Sequence, residues 1–276
     1  MTSAAIDWTG KRRQPCPACN RGPRDGALGI SERSDGSYIA HCFRCSAVYF
    51  SDERPSRQRQ HAAPPRPAIQ APQKRETLST YGLELWGACR PVSGPALAYL
   101  EARDCTIPPA DGDLRWHPDL RHPGGYSGPA LVALVTHAET RAALTLHFTW
   151  VRADGKKAEV DPPRWLLAGH RKAGGVIRLW PDEAVSTGLA LAEGVETALS
   201  VARYFQPVWA AIDAGNLGTL PVLPGIEALT IAADHDPAGL KGADACADRW
   251  AAAGADVRVI APRHERADWN DRRVTA

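Results

Sequence analysis

Residues 189–201 read LALAEGVETALSV, and residues 231–243 read IAADHDPAGLKGA. Each joins a short, wholly apolar run to an acidic pair and then to a helix-forming stretch. Runs that are apolar throughout fit strands buried on both faces, as in a parallel sheet covered by helices. The same alternation fills the last hundred residues. Strands are expected at Leu189–Ala192, Val208–Ile212, Leu229–Ala233 and Val257–Ala261, helices at 195–204 and 238–253, and a glycine-containing loop at 215–218. Strands separated by helices define an α/β fold.

Carboxylates at the carboxyl ends of parallel strands converge on one crevice. Glu193 stands at such an end, and Gly194 lets backbone approach beside it. Glu196 falls in the first helical turn, where the helix dipole favours an anion, so it reads equally as a cap. Asp234 and Asp236 are two apart at a strand end and are expected to point the same way. Gly239 permits close packing where the next helix starts. A third acidic stretch, Asp268-Trp269-Asn270-Asp271, follows the closing strand, and its Asp268 and Asp271 can complete the set. Like charges held this close repel unless a cation lies among them, which predicts a divalent ion and phosphate chemistry.

The N-terminal part follows a different chemistry. Cys16-Pro17-Ala18-Cys19 and Cys42-Phe43-Arg44-Cys45 are two CxxC turns, and two such turns supply the four thiolates of a tetrahedral zinc site. Ser37–His41 reads as the strand that delivers the second pair. Two disulfides are the other reading, and an intracellular chain disfavours them. Arg12, Arg13, Arg21, Arg24 and Arg44 supply positive charge, and Tyr38, Phe43 and Tyr49 supply flat faces. That combination suits single-stranded nucleic acid, although the aromatics, Tyr38 above all, can equally pack on the ribbon's own strands.

Residues 51–76 contain Pro55, Pro64, Pro65, Pro67 and Pro72 and almost no large apolar side chain, so they read as a flexible linker. Residues 1–76 carry 13 Lys/Arg against 7 Asp/Glu, whereas 181–276 carry 8 against 14. A basic front and an acidic rear suit a protein that grips a polyanion with one part and metal with another. No apolar run is long enough to span a bilayer and the N-terminus has no signal-peptide pattern, so a cytoplasmic protein with no membrane contact is expected.

Between linker and acids, residues 77–180 read as mixed α/β. A helix begins at Ser93-Gly94-Pro95, strands are expected at Leu131–Val135, Leu144–Val151 and Val176–Trp180, and Asp154-Gly155 marks a turn. Arg152, Lys156, Lys157, Arg164, Arg171 and Lys172 cluster in and after that turn. They read as contacts for a substrate phosphate or template, or as a solvated face.

Taken together, these residues resemble a Toprim domain, the fold shared by DnaG-type primases, topoisomerases and some nucleases. The two opening stretches, with AGNLG at 214–218 and DWND at 268–271, are most similar to the Toprim primases of phages and plasmids. A CxxC…CxxC ribbon ahead of a Toprim core is the order found in bacterial and phage primases. PRWLLAGHRKAGGVIRLW at 163–180 resembles the primase subdomain that precedes Toprim. The chain departs from the pattern at one place. DnaG-type chains carry Asp four residues after the first Glu, whereas here Glu196 comes three after and Thr197 stands fourth.

The resemblance implies a zinc-ribbon domain at 1–50, a linker at 51–76, a primase-like mixed α/β subdomain at 77–180 and a Rossmann-like, mainly parallel Toprim core at 181–276. It implies a DNA primase, a nucleotidyltransferase making short RNA primers on single-stranded DNA from nucleoside triphosphates. Glu193, Asp234, Asp236 and Asp268 would be the catalytic acids and, with Asp271, would hold one or two Mg²⁺ or Mn²⁺ ions. The six basic residues would steady the triphosphate or template, and Cys16, Cys19, Cys42 and Cys45 would hold one structural Zn²⁺. Relatives continue into a helicase-binding domain or a helicase, whereas this chain stops at Ala276, so a separate replicative helicase is the expected partner. Two other readings use the same residues: a Toprim metal-dependent nuclease, and a non-catalytic single-stranded-DNA-binding replication factor.

Overall fold

The computed structural model describes residues 6–10, 12–19, 22, 25–51, 73–262 and 269. Most of the expected linker, Arg21, Arg24, Asp268, Asn270 and Asp271 lie outside the described residues. The chain divides into two compact units, Met1–Ile69 and Gln70–Ala276.

The first unit is a small antiparallel meander of β1 (Arg13–Gln14), β2 (Leu28–Glu32), β3 (Tyr38–Cys42) and β4 (Val48–Phe50), hydrogen-bonded in that order. Among its described residues the buried core comprises Cys16, Leu28, Ile30, Ala40 and Cys42. So few apolar side chains cannot hold a fold of this size alone, and two of the five are candidate metal ligands.

The second unit starts with α1 (Thr80–Ala88), β5 (Arg90–Pro91) and α2 (Gly94–Ala102). An antiparallel sheet follows, built from β6 (Leu114–Arg121), β7 (Ser127–His137), β8 (Ala143–Trp150) and β9 (Arg164–Leu166), with β5 on its edge. The strand expected at Val176–Trp180 is shorter than its apolar pattern suggests. Only β10 (Gly175–Val176) pairs with β7, and Ile177 then bridges to Ala210 in the next sheet. Turning between two sheets, the segment cannot ladder with either for long.

The remainder alternates as the apolar runs predict: β11 (Gly188–Ala192), α3 (Val195–Val201), β12 (Val208–Ala210), α4 (Ala214–Gly218), β13 (Ala228–Ala232), α5 (Pro237–Ala252) and β14 (Asp256–Ile260). All three pairings are parallel, in the order β12-β11-β13-β14. Leu131, Ala133 and Val135 of β7 share one buried cluster with Ala190, Ala192, Val195 and Leu199. The antiparallel sheet and the parallel layer thus share one hydrophobic cluster, to which Ala96, Tyr99 and Leu100 of α2 also belong.

The loop expected at 215–218 is instead the short helix α4. Two glycines in five residues argue against a helix, but the Asp213 side chain accepts the Asn216 N–H at 2.9 Å and caps its start. Gly218 serves packing, since a Cβ on it would lie 3.3 Å from the Gly242 Cα. A Cβ on Gly242 of α5 would lie 2.4 Å from the Ala214 carbonyl oxygen, so α4 and α5 touch backbone to backbone there. Alanine for glycine inside a helix ordinarily stabilises by about 1 kcal/mol. At Gly242 the clash reverses the sign: Gly242→Ala is expected to destabilise by about 1–3 kcal/mol, the usual range for overpacking. Urea unfolding measures it, and a raised midpoint would contradict the close contact.

Candidate active site

Glu193 follows the last residue of β11 and its carboxylate accepts the N–H of Ala214, the first residue of α4. Burial is the largest influence on it, followed by the neighbouring carboxylate of Asp234; the Ala214 hydrogen bond opposes them, and Asp236 and Asp213 add smaller upward pushes. The balance pushes its pKa up to about 7. Negative charge therefore gathers at the carboxyl ends of β11, β12 and β13, where an open parallel sheet places ligands.

Each of the other acids arrives by its own local device. Asp234 lies two residues past β13, and its Oδ1 accepts the Thr197 hydroxyl at 3.1 Å. Asp236 caps α5, its Oδ1 accepting the N–H groups of Ala238 at 3.0 Å and Gly239 at 2.8 Å. The two aspartates both act on Glu193, but strand pleat does not align them, because β13 ends at Ala232. A turn does so, with the Asp236 N–H donating to the Asp234 carbonyl at 2.8 Å. Gly239 is required there, since a Cβ would lie 2.5 Å from that same carbonyl oxygen.

Asp213 is an acid that the motif reading passed over. It stands just past β12 as Glu193 stands just past β11, and that shared position was the available signal. Ile212 before it has φ 77°, and the Asp213 N–H donates to Ala211 O at 2.9 Å. A bond across two residues around a positive φ is a γ-turn, strained for a β-branched side chain at about 1–3 kcal/mol. Such strain concentrates at functional sites. The Asp213 Oδ2 accepts the Lys172 ammonium. Asn216 is buried beside them, its Oδ1 accepting Gly174 N–H at 3.0 Å and its Nδ2 donating to Gly175 O and Ala211 O.

Glu196 neither caps a helix at the surface nor joins the acids. It is 2 % exposed. Its Oε1 lies 3.0 Å from Arg164 Nη2 and 3.4 Å from Lys157 Nζ, and it accepts the Tyr99 hydroxyl at 2.8 Å. Burial alone would raise its pKa, but the two cations and the hydroxyl hold it down at about 2. The pairing therefore stabilises the fold fully above the ordinary carboxylate range and is lost as pH falls toward 2.

The six candidate basic residues thus separate. Lys157 and Arg164 meet Glu196, Lys172 meets Asp213, and Arg171 pairs with Glu76. Arg152 stays inside its own hairpin on Asp154 and Glu159, and the exposed Lys156 forms no ion pair among the described residues. Lys172 therefore lies beside the acids, and Lys157 and Arg164 lie one helical turn away from them. His235 is occupied by Pro262, its Nδ1 2.6 Å from the carbonyl oxygen. Trp269 donates its indole N–H to Ala233 O at 3.0 Å, which anchors that side chain next to Asp234.

In the first unit the sulfurs of Cys16, Cys19, Cys42 and Cys45 all lie within 4.8 Å of one another, with Cys16–Cys45 at 3.7 Å and Cys19–Cys42 at 3.6 Å. Zn–S bonds of about 2.3 Å arranged tetrahedrally set sulfurs about 3.8 Å apart. Free thiols in contact at this spacing fit one zinc ion. Tyr38 and Tyr49 pack on the ribbon core, and Arg44 braces Asp25 at 2.8 Å. Phe43 instead is 65 % exposed with Arg13 stacked 4.5 Å from its ring centre, and Phe50, missed in the sequence, is 58 % exposed.

The acids do not meet the cysteines' spacing; among the described residues only the four sulfurs converge that closely. Their oxygen chemistry and unbalanced charge still fit Mg²⁺ or Mn²⁺. Mg²⁺ keeps several waters and takes one or two carboxylates with substrate phosphates rather than a closed protein cage.

Comparison with known proteins agrees with this geometry. Residues 188–276 match the Toprim domain, and 76–179 match a domain of unknown function (DUF7146). The C-terminal part of the chain is a Toprim domain. No curated protein matches the chain. Among solved structures, a DNA primase domain from Pseudomonas aeruginosa is similar at 13 % identity and TM-score 0.41, covering 64 % of this chain and 66 % of that one. The zinc-binding and RNA polymerase domains of the Aquifex aeolicus primase are similar at 15 % identity and TM-score 0.41, covering 64 % of this chain and 51 % of that one. This chain thus spans about half to two thirds of these two structures. The primase fragment of the bacteriophage T7 primase-helicase is similar over 94 % of this chain and 92 % of its own, at 13 % identity and TM-score 0.40.

A carboxyl whose folded pKa is raised favours the fold below its unfolded value, and that advantage is lost as pH climbs through the folded value, here about 7. A divalent cation binds the ionised form and restores stability. Mg²⁺ is therefore expected to raise the melting temperature of the zinc-loaded chain more at pH 8 than at pH 5.5. An equal or smaller shift at pH 8 would contradict the charge assigned to this crevice.

Proposed function

We propose that this chain is a DNA primase that joins nucleoside triphosphates into short RNA primers on single-stranded DNA. The observation that carries the reading is the acid crevice at the strand ends, where burial and three aspartates, Asp234 foremost, hold the pKa of Glu193 at about 7. That environment demands a cation, and Glu193, Asp234 and Asp236 would hold it, with Asp268 and Asp271 as further ligands. A bound Mg²⁺ or Mn²⁺ supplies Lewis-acid stabilisation of phosphate charge and a lowered pKa for the attacking 3′-hydroxyl.

The chain's own side chains then divide the remaining work. Lys172, beside Asp213, would contact the triphosphate. Lys157 and Arg164, anchored through Glu196, would present their solvent-facing edges to template phosphates, and Arg152, Lys156 and Arg171 would extend that basic surface. Phe43 and Phe50 of the zinc ribbon offer stacking faces for unpaired bases, with Arg13 close by for a phosphate. Joining two free nucleotides requires such grips, because neither is held by an existing duplex. The macromolecular partner of this reading is a replicative helicase, and the compartment is the cytoplasm.

The test is incubation with single-stranded DNA, labelled ribonucleotides and Mg²⁺ or Mn²⁺. New short oligomers are expected, with synthesis falling at least ~100-fold in Asp234→Ala and Asp236→Ala, the order lost when a group stabilising transition-state charge is removed. Synthesis unchanged in both variants would overturn the reading. Aspartate-dependent shortening of the template would replace it with a nuclease, and unaltered DNA with a non-catalytic binder.

A further inference from the structure

Thr197 stands one helical turn after Glu193, within α3, and is 5 % exposed. Its hydroxyl reaches across to the neighbouring strand end and donates to Asp234 Oδ1 at 3.1 Å. A buried threonine in a helix ordinarily returns its hydroxyl to a carbonyl in the preceding turn of its own helix. Here the hydroxyl spans from α3 to the turn after β13, joining the helix that follows Glu193 to the segment that carries Asp234.

From this contact, and resting on the metal-centre reading above, we infer that Thr197 is a positioning residue that orients the Asp234 carboxylate for a divalent cation. The carboxyl plane of an aspartate turns about a broad torsion. A hydroxyl donor on one oxygen fixes that plane before the ion arrives, as hydrogen-bonded partners do for metal-ligating carboxylates generally. The residue type matters as much as the contact. A carboxylate at this buried position would add like charge beside Asp234 and Glu193, whereas a hydroxyl adds a donor and no charge. The crevice thereby keeps the negative charge of Glu193, Asp234 and Asp236 while one of them is held in place by a neutral group.

Thr197→Val removes the hydroxyl at nearly constant volume, and Thr197→Ser keeps it while removing a methyl. Binding of Mn²⁺ alone to the zinc-loaded full chain, followed by loss of the free-ion electron paramagnetic resonance signal, reads the effect without any substrate. Thr197→Val is expected to weaken Mn²⁺ roughly tenfold, the low end of the effect of removing a ligand's hydrogen-bond partner. Thr197→Ser is expected to remain within about twofold of the parent, with the melting temperatures of all three metal-free proteins recorded alongside. A Thr197→Val protein that binds Mn²⁺ within about twofold of the parent, while Asp234→Ala abolishes uptake, overturns the positioning role and leaves the metal centre standing. A parent chain that takes up no Mn²⁺ beyond the level of Asp234→Ala overturns both.

Discussion

Mutual repulsion of carboxylates at the ends of the parallel strands is the constraint around which the second unit is organised. Strands β11, β12 and β13 each deliver an acid to the same edge of the sheet, and burial removes the water that would otherwise screen them. A fold that brings such charges together accepts a local loss of stability and must hold each carboxylate against its neighbours. The holding is visible at each acid among the described residues: a backbone N–H of Ala214 on Glu193, the first turn of α5 on Asp236, a hydroxyl on Asp234, and an ammonium on Asp213. The neutral donors leave the negative charge in place while limiting where the side chain can go, whereas Lys172 offsets the charge of Asp213.

The same logic explains how the antiparallel sheet is attached. Apolar contact between β7 and the parallel layer supplies area, but area alone does not fix orientation. Glu196 and Asn216 do. Glu196 draws Arg164, Lys157 and Tyr99 onto the first turn of α3, and Asn216 joins Gly174 and Gly175 to the start of α4. Both lie within a few residues of an acid in sequence, so the groups that fix the sheet also set the distance between basic side chains and the crevice.

Much of this was legible in the chain. The apolar runs before Glu193 and Asp234 gave the parallel strands to within a residue or two, because a strand buried on both faces leaves no polar position. The paired CxxC turns gave the sulfur cluster for an equally local reason. What escaped depended on partners far away in sequence. Glu196 read as a cap because nothing local reveals that Tyr99, Lys157 and Arg164 fold over it. Residues 215–218 read as a loop because two glycines weigh against a helix, and the close approach of Gly218 to Gly242 is a tertiary fact. Asp213 lacked a motif of its own; only its equivalence to Glu193 at the end of a neighbouring strand marks it. The six basic residues formed one run in sequence yet separate into a pair on Glu196, a lysine on Asp213, an arginine on Glu76 and a hairpin group of Arg152 and Lys156, since a run of charge carries no information about facing.

The central claim is that the crevice concentrates negative charge until a divalent cation relieves it. Carbon NMR of the Glu193 side-chain carboxyl, titrated through pH with and without Mg²⁺, measures this directly. The expected midpoint is about 7 without the ion, falling below ~5 when it is bound, because an adjacent cation favours the ionised form. A midpoint near the ordinary glutamate value of ~4.3, unmoved by Mg²⁺, would contradict it.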